Sequence, residues 1–250
     1  MTKQTLLFDL DDTLIYCNRY FYQIINQFTS AMTEWFKSAS LDAQAIRDKQ
    51  IEIDLVGVNA DGFKSDHFPQ SFVDTYRFFS ELYNRPQTAA EIDFLWKLGR
   101  SVYEHEVEAY PNMESTLDRL ASEGHELHLY TGGEVLIQQR KIDQMQLTRY
   151  FGERIYVRKH KNIEAMEQIV ASKRMNRDQT WMIGNSIRTD IVPAFHAGIN
   201  AIHLESESEW VYNIVDVDIA PKGAYYQLRE LAEVPQAISE YVSSNQSATG

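Results

Sequence analysis

A short buried-strand pattern, Thr5 to Phe8, stops abruptly at three carboxylates in four positions, Asp9-Leu10-Asp11-Asp12. Such a charge cluster belongs where a strand leaves a sheet and opens to solvent. Side chains alternate along an extended strand, so Asp9 and Asp11, at i and i+2, are expected on one side with Leu10 facing away. Two acidic groups aimed at one small volume invite a cation. After Leu14 the period changes. Phe21, Ile24, Ile25, Phe28, Met32, Trp35 and Phe36 recur at helical spacing, and further helices are expected through Ala45 to Val56, through Phe72 to Tyr83 and through Ala89 to Glu108. No convincing strand interrupts this stretch, which is far longer than the dozen or so residues a crossover between parallel strands needs. It is expected to be an inserted helical unit.

From Pro111 the pattern alternates. Strands are predicted at Glu126 to Tyr130, Arg154 to Val157, Thr180 to Ile183 and Ala201 to Leu204, with helices between them. Alternation of this kind predicts an α/β protein, a Rossmann-like doubly wound parallel sheet. Glu205 to Glu209 reads as an acidic surface loop, Tyr225 to Val242 as a terminal helix interrupted near Pro235, and the Ser- and Gly-rich end as a disordered tail. The expected organisation is an α/β core of residues 1–15 and 110–243, an inserted α-helical cap domain of 16–109, and a tail of 244–250.

Composition narrows the functional classes. A formal charge of −12 argues against nucleic acid as a partner, which normally needs a basic face. The single Cys17 excludes an internal disulfide, and no apolar run approaches the roughly 20 residues of a membrane helix. A strand within a few residues of Met1 leaves no room for a signal peptide, so the expected compartment is cytoplasmic. Oligomeric state is not legible.

Three strand ends carry small polar or acidic groups: Asp9-Leu10-Asp11, Thr131-Gly132-Gly133, and Gly184-Asn185-Ser186 followed by Asp190. Parallel strands would bring all three to one sheet edge, where open α/β sheets bind ligands. Lys159-His160-Lys161 follows the remaining middle strand and offers a cation. Asp190-Ile191-Val192-Pro193 also reads as a helix start, with Asp190 as N-cap and Gly198 as terminator.

These residues carry a resemblance to the haloacid dehalogenase (HAD) superfamily, phosphatase type, with a helical cap inserted after the first strand. Asp9-Leu10-Asp11-Asp12-Thr13 resembles the family's first motif and Leu127-His128-Leu129-Tyr130-Thr131 the second. Lys161 resembles the third, in preference to Lys159, and Gly184-Asn185-Ser186 through Asp190 the fourth. The cap matches only in position, length and helicity.

The resemblance implies a phosphatase acting on a small phosphorylated metabolite through an aspartyl-phosphate intermediate. Asp9 would be the nucleophile and Asp11 the general acid and base. Thr131, Gly132 and Lys161 would bind the phosphoryl group. Mg²⁺ would be held by Asp9, the backbone carbonyl of Asp11, and Asn185 or Asp190. Two departures stand out: Asn185 occupies a position where many members have Asp, which predicts weaker Mg²⁺ affinity, and Gly132 stands where relatives often carry a larger residue. The alternatives are a regulatory or binding protein on the same scaffold with little turnover, and a dehalogenase. Asp11 speaks against the latter, because a leaving halide needs no proton.

Overall fold

The computed structural model describes residues 2–206 and 208–248, with side chains through 245. Two compact units emerge, one made of the residues up to Asn18 and from Val107 onward, the other of Arg19–Glu106.

The first unit holds a six-stranded sheet among the described residues, all of its ladders parallel: β1 (Thr5–Phe8), β2 (Glu126–Gly132), β3 (Ile155–Arg158), β4 (Thr180–Gly184), β5 (Asn200–Leu204) and β6 (Tyr225–Leu228). Their order is β3-β2-β1-β4-β5-β6. The chain therefore builds outward from β1 on one side, then returns to lay β4 against β1 and builds outward on the other. The reversal between β1 and β4 is a topological switch point, where a crevice opens beyond the strand ends.

The α-helices among the described residues are α1 (Asn18–Trp35), α2 (Ala43–Asp61), α3 (His67–Leu82), α4 (Ala89–Arg100), α5 (Met113–Ser122), α6 (Val135–Gln144), α7 (Thr148–Phe151), α8 (Ile163–Ser172), α9 (Val192–Ala197) and α10 (Val234–Ala248). Alternation along β1 sorts the core into two faces. Leu6 and Phe8 pack with Leu117 and Leu120 of α5 and Ile238 of α10, whereas Leu7 packs with Met166 and Ile169 of α8 and Phe195 of α9. Helices thus pack on both faces of the sheet. No helix among the described residues is long and apolar enough to cross a membrane.

Two expectations at the C-terminal end need correction. Residues 225–228 are a strand rather than the start of a helix. Tyr225 and Tyr226 are good strand formers that pack as partly buried rings on Phe195 and Trp181, and Pro235 sits in the first turn of α10. Residues 244–248, expected in a disordered tail, continue α10, which Val234, Ile238 and Val242 anchor in the core. Residues 249 and 250 lie outside the described residues.

The second unit has its own core, in which Ile24, Phe28 and Met32 of α1 meet Phe68, Phe72 and Tyr76 of α3 and Leu95 of α4. Phe28 and Phe72 stack at 4.2 Å between ring centroids. The linker from α3 to α4 is fixed by Arg85, whose guanidinium donates to both carboxylate oxygens of Glu91, at 2.5 and 3.0 Å.

Asp54 lies on the buried side of α2, and desolvation raises its carboxyl to about 7. The sign follows from proton uptake. Between about pH 4 and 7 the unfolded chain loses a proton that the folded chain keeps, so this group progressively destabilises the fold as pH rises. Asp54→Asn is therefore expected to stabilise the protein by about 2 kcal/mol at pH 8, with the gain vanishing toward pH 4. Thermal melts of the two proteins at pH 4.5 and 8 check this, and an equal gain at both would contradict it.

Candidate active site

β1 delivers Asp9 to the switch point. The Asp9 N–H donates to the carbonyl of Ile183 on β4 at 2.9 Å, which continues the β1–β4 ladder one residue beyond β1. The Asp9 carboxylate accepts from the Lys161 ammonium at 2.5 Å and from the Thr13 hydroxyl at 3.2 Å. Beyond it the chain turns back, with Leu14 N–H on the Leu10 carbonyl at 2.9 Å. Asp12 takes a left-handed conformation at φ 56° in this turn. Its carboxylate accepts from the N–H groups of Cys17 at 3.0 Å and Asn18 at 3.1 and 3.0 Å, satisfying the start of α1. Asp12 thus has a structural task, and burial raises its carboxyl to about 7 although these N–H groups pull it down.

The Asp9 and Asp11 carboxylates pair with different lysines. β1 ends at Phe8, so strand alternation does not extend to them. Asp11 instead meets Lys141 Nζ at 2.7 Å and Gln138 Nε2 at 2.9 Å, both from α6. Gln138 Nε2 also lies 2.6 Å from Thr131 Oγ1 and 3.0 Å from the Gly132 carbonyl. Thr131 accepts in that bond, which leaves its own hydroxyl proton to donate elsewhere.

Lys161 precedes Asn162, whose side chain caps α8 by accepting from Ala165 N–H at 2.9 Å. The Lys161 ammonium is buried against both Asp9 and Asp190 and lies 5.0 Å from the Tyr130 ring centre. Lys159 and His160 are the more accessible members of this run. Asp190 is fully buried, but it is not the N-cap the sequence suggests. Ser186 caps that turn by accepting from Thr189 N–H at 3.1 Å, while the Asp190 carboxylate reaches back to accept from Ser186 N–H at 3.0 Å. The wide helical turn Ile187–Ile191 makes this reach possible, and a Cβ on Gly184 would collide with the same carboxylate. Pro193 lies in the first turn of α9, and Gly198 ends it in a left-handed conformation at φ 65°, as the sequence suggests.

Burial governs the electrostatics. Desolvation raises Asp9 to about 7, with Lys161 pulling down and Asp190 pushing up. Asp190 is raised for the same first reason. Burial alone would lower the Lys161 ammonium, but the two carboxylates hold it above its ordinary value. Lys141 is held up in the same way by Asp11. One buried ammonium thus faces two buried carboxyl groups, and ionising both at once is disfavoured.

The side-chain oxygens of Asp9, Asp190 and Asn185 are hard donors of the kind that Mg²⁺ prefers. Asn185 Oδ1 lies 3.4 Å from Thr13 Oγ1, the hydroxyl that also serves Asp9. Among the described residues no three His, Cys, Asp or Glu groups are arranged to hold a metal.

Sequence reasoning missed Gln138, Lys141 and Glu209. Gln138 and Lys141 are three apart on α6, and Gln138 shares the buried face with Ile142, so a polar residue at a core-facing helical position was the available signal. Glu209 belongs to the segment read as an acidic surface loop, yet both its carboxylate oxygens lie 3.1 Å from Asn185 Nδ2.

The switch-point geometry defines a Rossmann-like protein with a buried, lysine-bridged acidic centre. Residues 3–198 match the haloacid dehalogenase-like hydrolase family, and the chain belongs to that family. It is 28% identical over 102 residues to a glyceraldehyde 3-phosphate phosphatase of Methanothermobacter thermautotrophicus, an alignment covering 39% of this chain and 45% of that relative. The chain thus matches less than half the length of that curated relative. Among solved structures, a haloacid dehalogenase-like hydrolase of Xanthomonas campestris superposes with a TM-score of 0.76 at 22% identity, covering 97% of each chain. A HAD hydrolase of Bacillus subtilis, solved bound to magnesium, superposes with a TM-score of 0.62 at 16% identity over 95% of this chain and 99% of its own. At these identities the structural likeness is one of fold.

Proposed function

We propose that this hydrolase is a Mg²⁺-dependent phosphatase that cleaves a small phosphorylated metabolite through an aspartyl-phosphate on Asp9. The observation that carries the reading is the separation of two carboxylates: Asp9 on Lys161 and Asp11 on Lys141 and Gln138. A nucleophile and a proton carrier need distinct environments, and each of these acids has its own. The phosphatase relative supports the reaction class, and its three-carbon substrate suggests where a substrate search begins.

Asp9 attacks phosphorus in line, the bond to the leaving oxygen breaks, and Asp11 gives that oxygen its proton. Asp11 then takes a proton from water as the water attacks phosphorus, which frees inorganic phosphate and regenerates Asp9. Lys161 and the Thr131 hydroxyl orient and neutralise the phosphoryl oxygens. Asp9, Asp190, Asn185 and the Asp11 carbonyl would hold the cation, whose charge offsets the repulsion between carboxylate and phosphate. Gln138 has Thr131 and Gly132 as further partners, so it can release Asp11 to the leaving group without being left unpaired.

A panel of phosphorylated metabolites, sugar and triose phosphates first, tests the reading by phosphate release with Mg²⁺ and with chelator. Selective, metal-dependent turnover is expected. Halide release from 2-haloacids with a flat phosphate panel would indicate a dehalogenase, and a flat panel throughout a binding or regulatory protein.

Asp11 gives a sharper check of proton transfer. Asp11→Asn should lower kcat/KM for alkyl phosphates by about 10²-fold while leaving p-nitrophenyl phosphate within a few-fold, since a good leaving group needs little protonation. Equal losses on both substrates would mean that Asp11 does not carry the leaving group's proton.

A further inference from the structure

The Asn185 side chain is almost fully buried, and its amide has two unlike ends that are held apart. Nδ2 lies 3.1 Å from each carboxylate oxygen of Glu209, while Oδ1 lies on the Thr13 side, 3.4 Å from the hydroxyl that also serves Asp9. A carboxylate only accepts, so the amide must present N–H to Glu209 and oxygen to the site; chemistry fixes which end is which. The Asn185 backbone is pinned as well, its carbonyl 2.8 Å from His203 Nε2.

Glu209 is itself built into place. Its carboxylate accepts from Trp210 N–H at 3.1 Å and from Asn213 Nδ2 at 2.5 Å. The short helical turn Val211–Asn213 that carries Asn213 is tied to the Asp190 segment by Arg188, which donates to the Tyr212 carbonyl at 2.5 Å and lies 4.6 Å from the Tyr212 ring centre. The Glu209 charge is felt at Asp190 and at Asp12, where it adds to the upward push on both carboxyls.

We propose that Glu209 is a positioning residue of the metal site: it holds the Asn185 amide with its oxygen toward Asp9 and, through that hydrogen-bonded amide, supplies the negative charge that an aspartate at this position would carry. The inference rests on the metal-dependent reading above. A hydrogen bond from amide N–H to carboxylate draws electron density toward the carbonyl oxygen, making Oδ1 a stronger donor. Asn185 and Glu209 together then do what one Asp does alone, with the charge one residue farther from the cation. This explains how position 185 forgoes a carboxylate without leaving the site short of charge.

The test is direct metal binding on the intact chain without substrate, by Mn²⁺ electron paramagnetic resonance and by Mg²⁺ calorimetry. It compares wild type, Glu209→Gln, Asn185→Asp and the double variant. The Glu209→Gln change keeps an acceptor for Asn213 and Trp210, so the loop is expected to hold, and thermal melts of all four proteins monitor the fold. Glu209→Gln should weaken binding at least about 10-fold when made in wild type, the range seen when a group behind a metal ligand is changed. When made on top of Asn185→Asp, the sign should reverse. There Glu209 faces a second carboxylate at hydrogen-bond distance, so Glu209→Gln should leave affinity unchanged or raise it. Equal weakening in both backgrounds would overturn the proposal in favour of a purely structural loop contact. Wild type and Glu209→Gln binding alike would overturn it while leaving the metal-dependent reading intact. Wild type binding neither ion at millimolar concentration would overturn both.

Discussion

Asp9→Asn is expected to abolish phosphate release, by about 10⁴-fold or more, while leaving the protein folded and no less stable than wild type. The loss follows from the mechanism, because an amide cannot form the acyl phosphate. The retained stability follows from the surroundings. The Asn carbonyl still accepts from Lys161 or Thr13, and the change removes one of two carboxylates buried around a single ammonium. Burial already raises the Asp9 carboxyl to about 7, so its charged form is disfavoured in the folded state. A melting temperature equal to or above that of wild type, together with lost turnover, is the pattern of a group kept for chemistry at some expense to stability. A variant that unfolds, or one that keeps turnover, would contradict the assignment.

Lys161→Met should have the second largest effect, on both activity and stability. Lys161 is 5% exposed and is the ammonium between Asp9 and Asp190. Removing it leaves two buried carboxylates without that cation, a change that typically destabilises by about 3–5 kcal/mol. Phosphate release should fall about 10³-fold, because the phosphoryl oxygens lose a fixed positive charge. The stability loss should depend on pH. Without Lys161 the folded carboxyls are pushed further up, so they hold their protons while the unfolded chain ionises above about pH 4. The deficit relative to wild type therefore grows as pH rises from about 4 through 7 and is smallest in acid. Urea melts at pH 4.5 and 8 measure it, and a deficit of equal size at both would mean that Lys161 acts mainly by packing against Tyr130.

Much of the sheet and its acidic edge is legible in the sequence because both depend on local patterns. The apolar run before Asp9 and the small polar residues after β2 and β4 mark strand ends without any knowledge of pairing. Lys161 is singled out over Lys159 by the family resemblance, and its burial is not legible locally, because a lysine at a helix start is usually solvated. β6 is hidden because an edge strand with half-buried tyrosines looks amphipathic in either period. Asp190 reads as a cap because Asp before a proline-bearing turn usually is one, but Ser186 takes that task and frees the carboxylate to turn inward. Gln138, Lys141 and Glu209 depend on contacts across 127, 130 and 24 residues of chain, and no local pattern encodes those. Glu209 is further disguised by its Glu-Ser-Glu surroundings, whose composition is that of a solvated loop.

Phosphorylation of Asp9 is the step on which everything else depends. Mixing excess protein with the best substrate of the panel in Mg²⁺, quenching in acid within milliseconds and mapping peptides by mass spectrometry addresses it directly. The expected result is a phosphoryl group on the peptide carrying Asp9, appearing before inorganic phosphate, labile to hydroxylamine and absent from Asp9→Asn. Turnover by wild type with no trapped adduct, and continued turnover by Asp9→Asn, would contradict it.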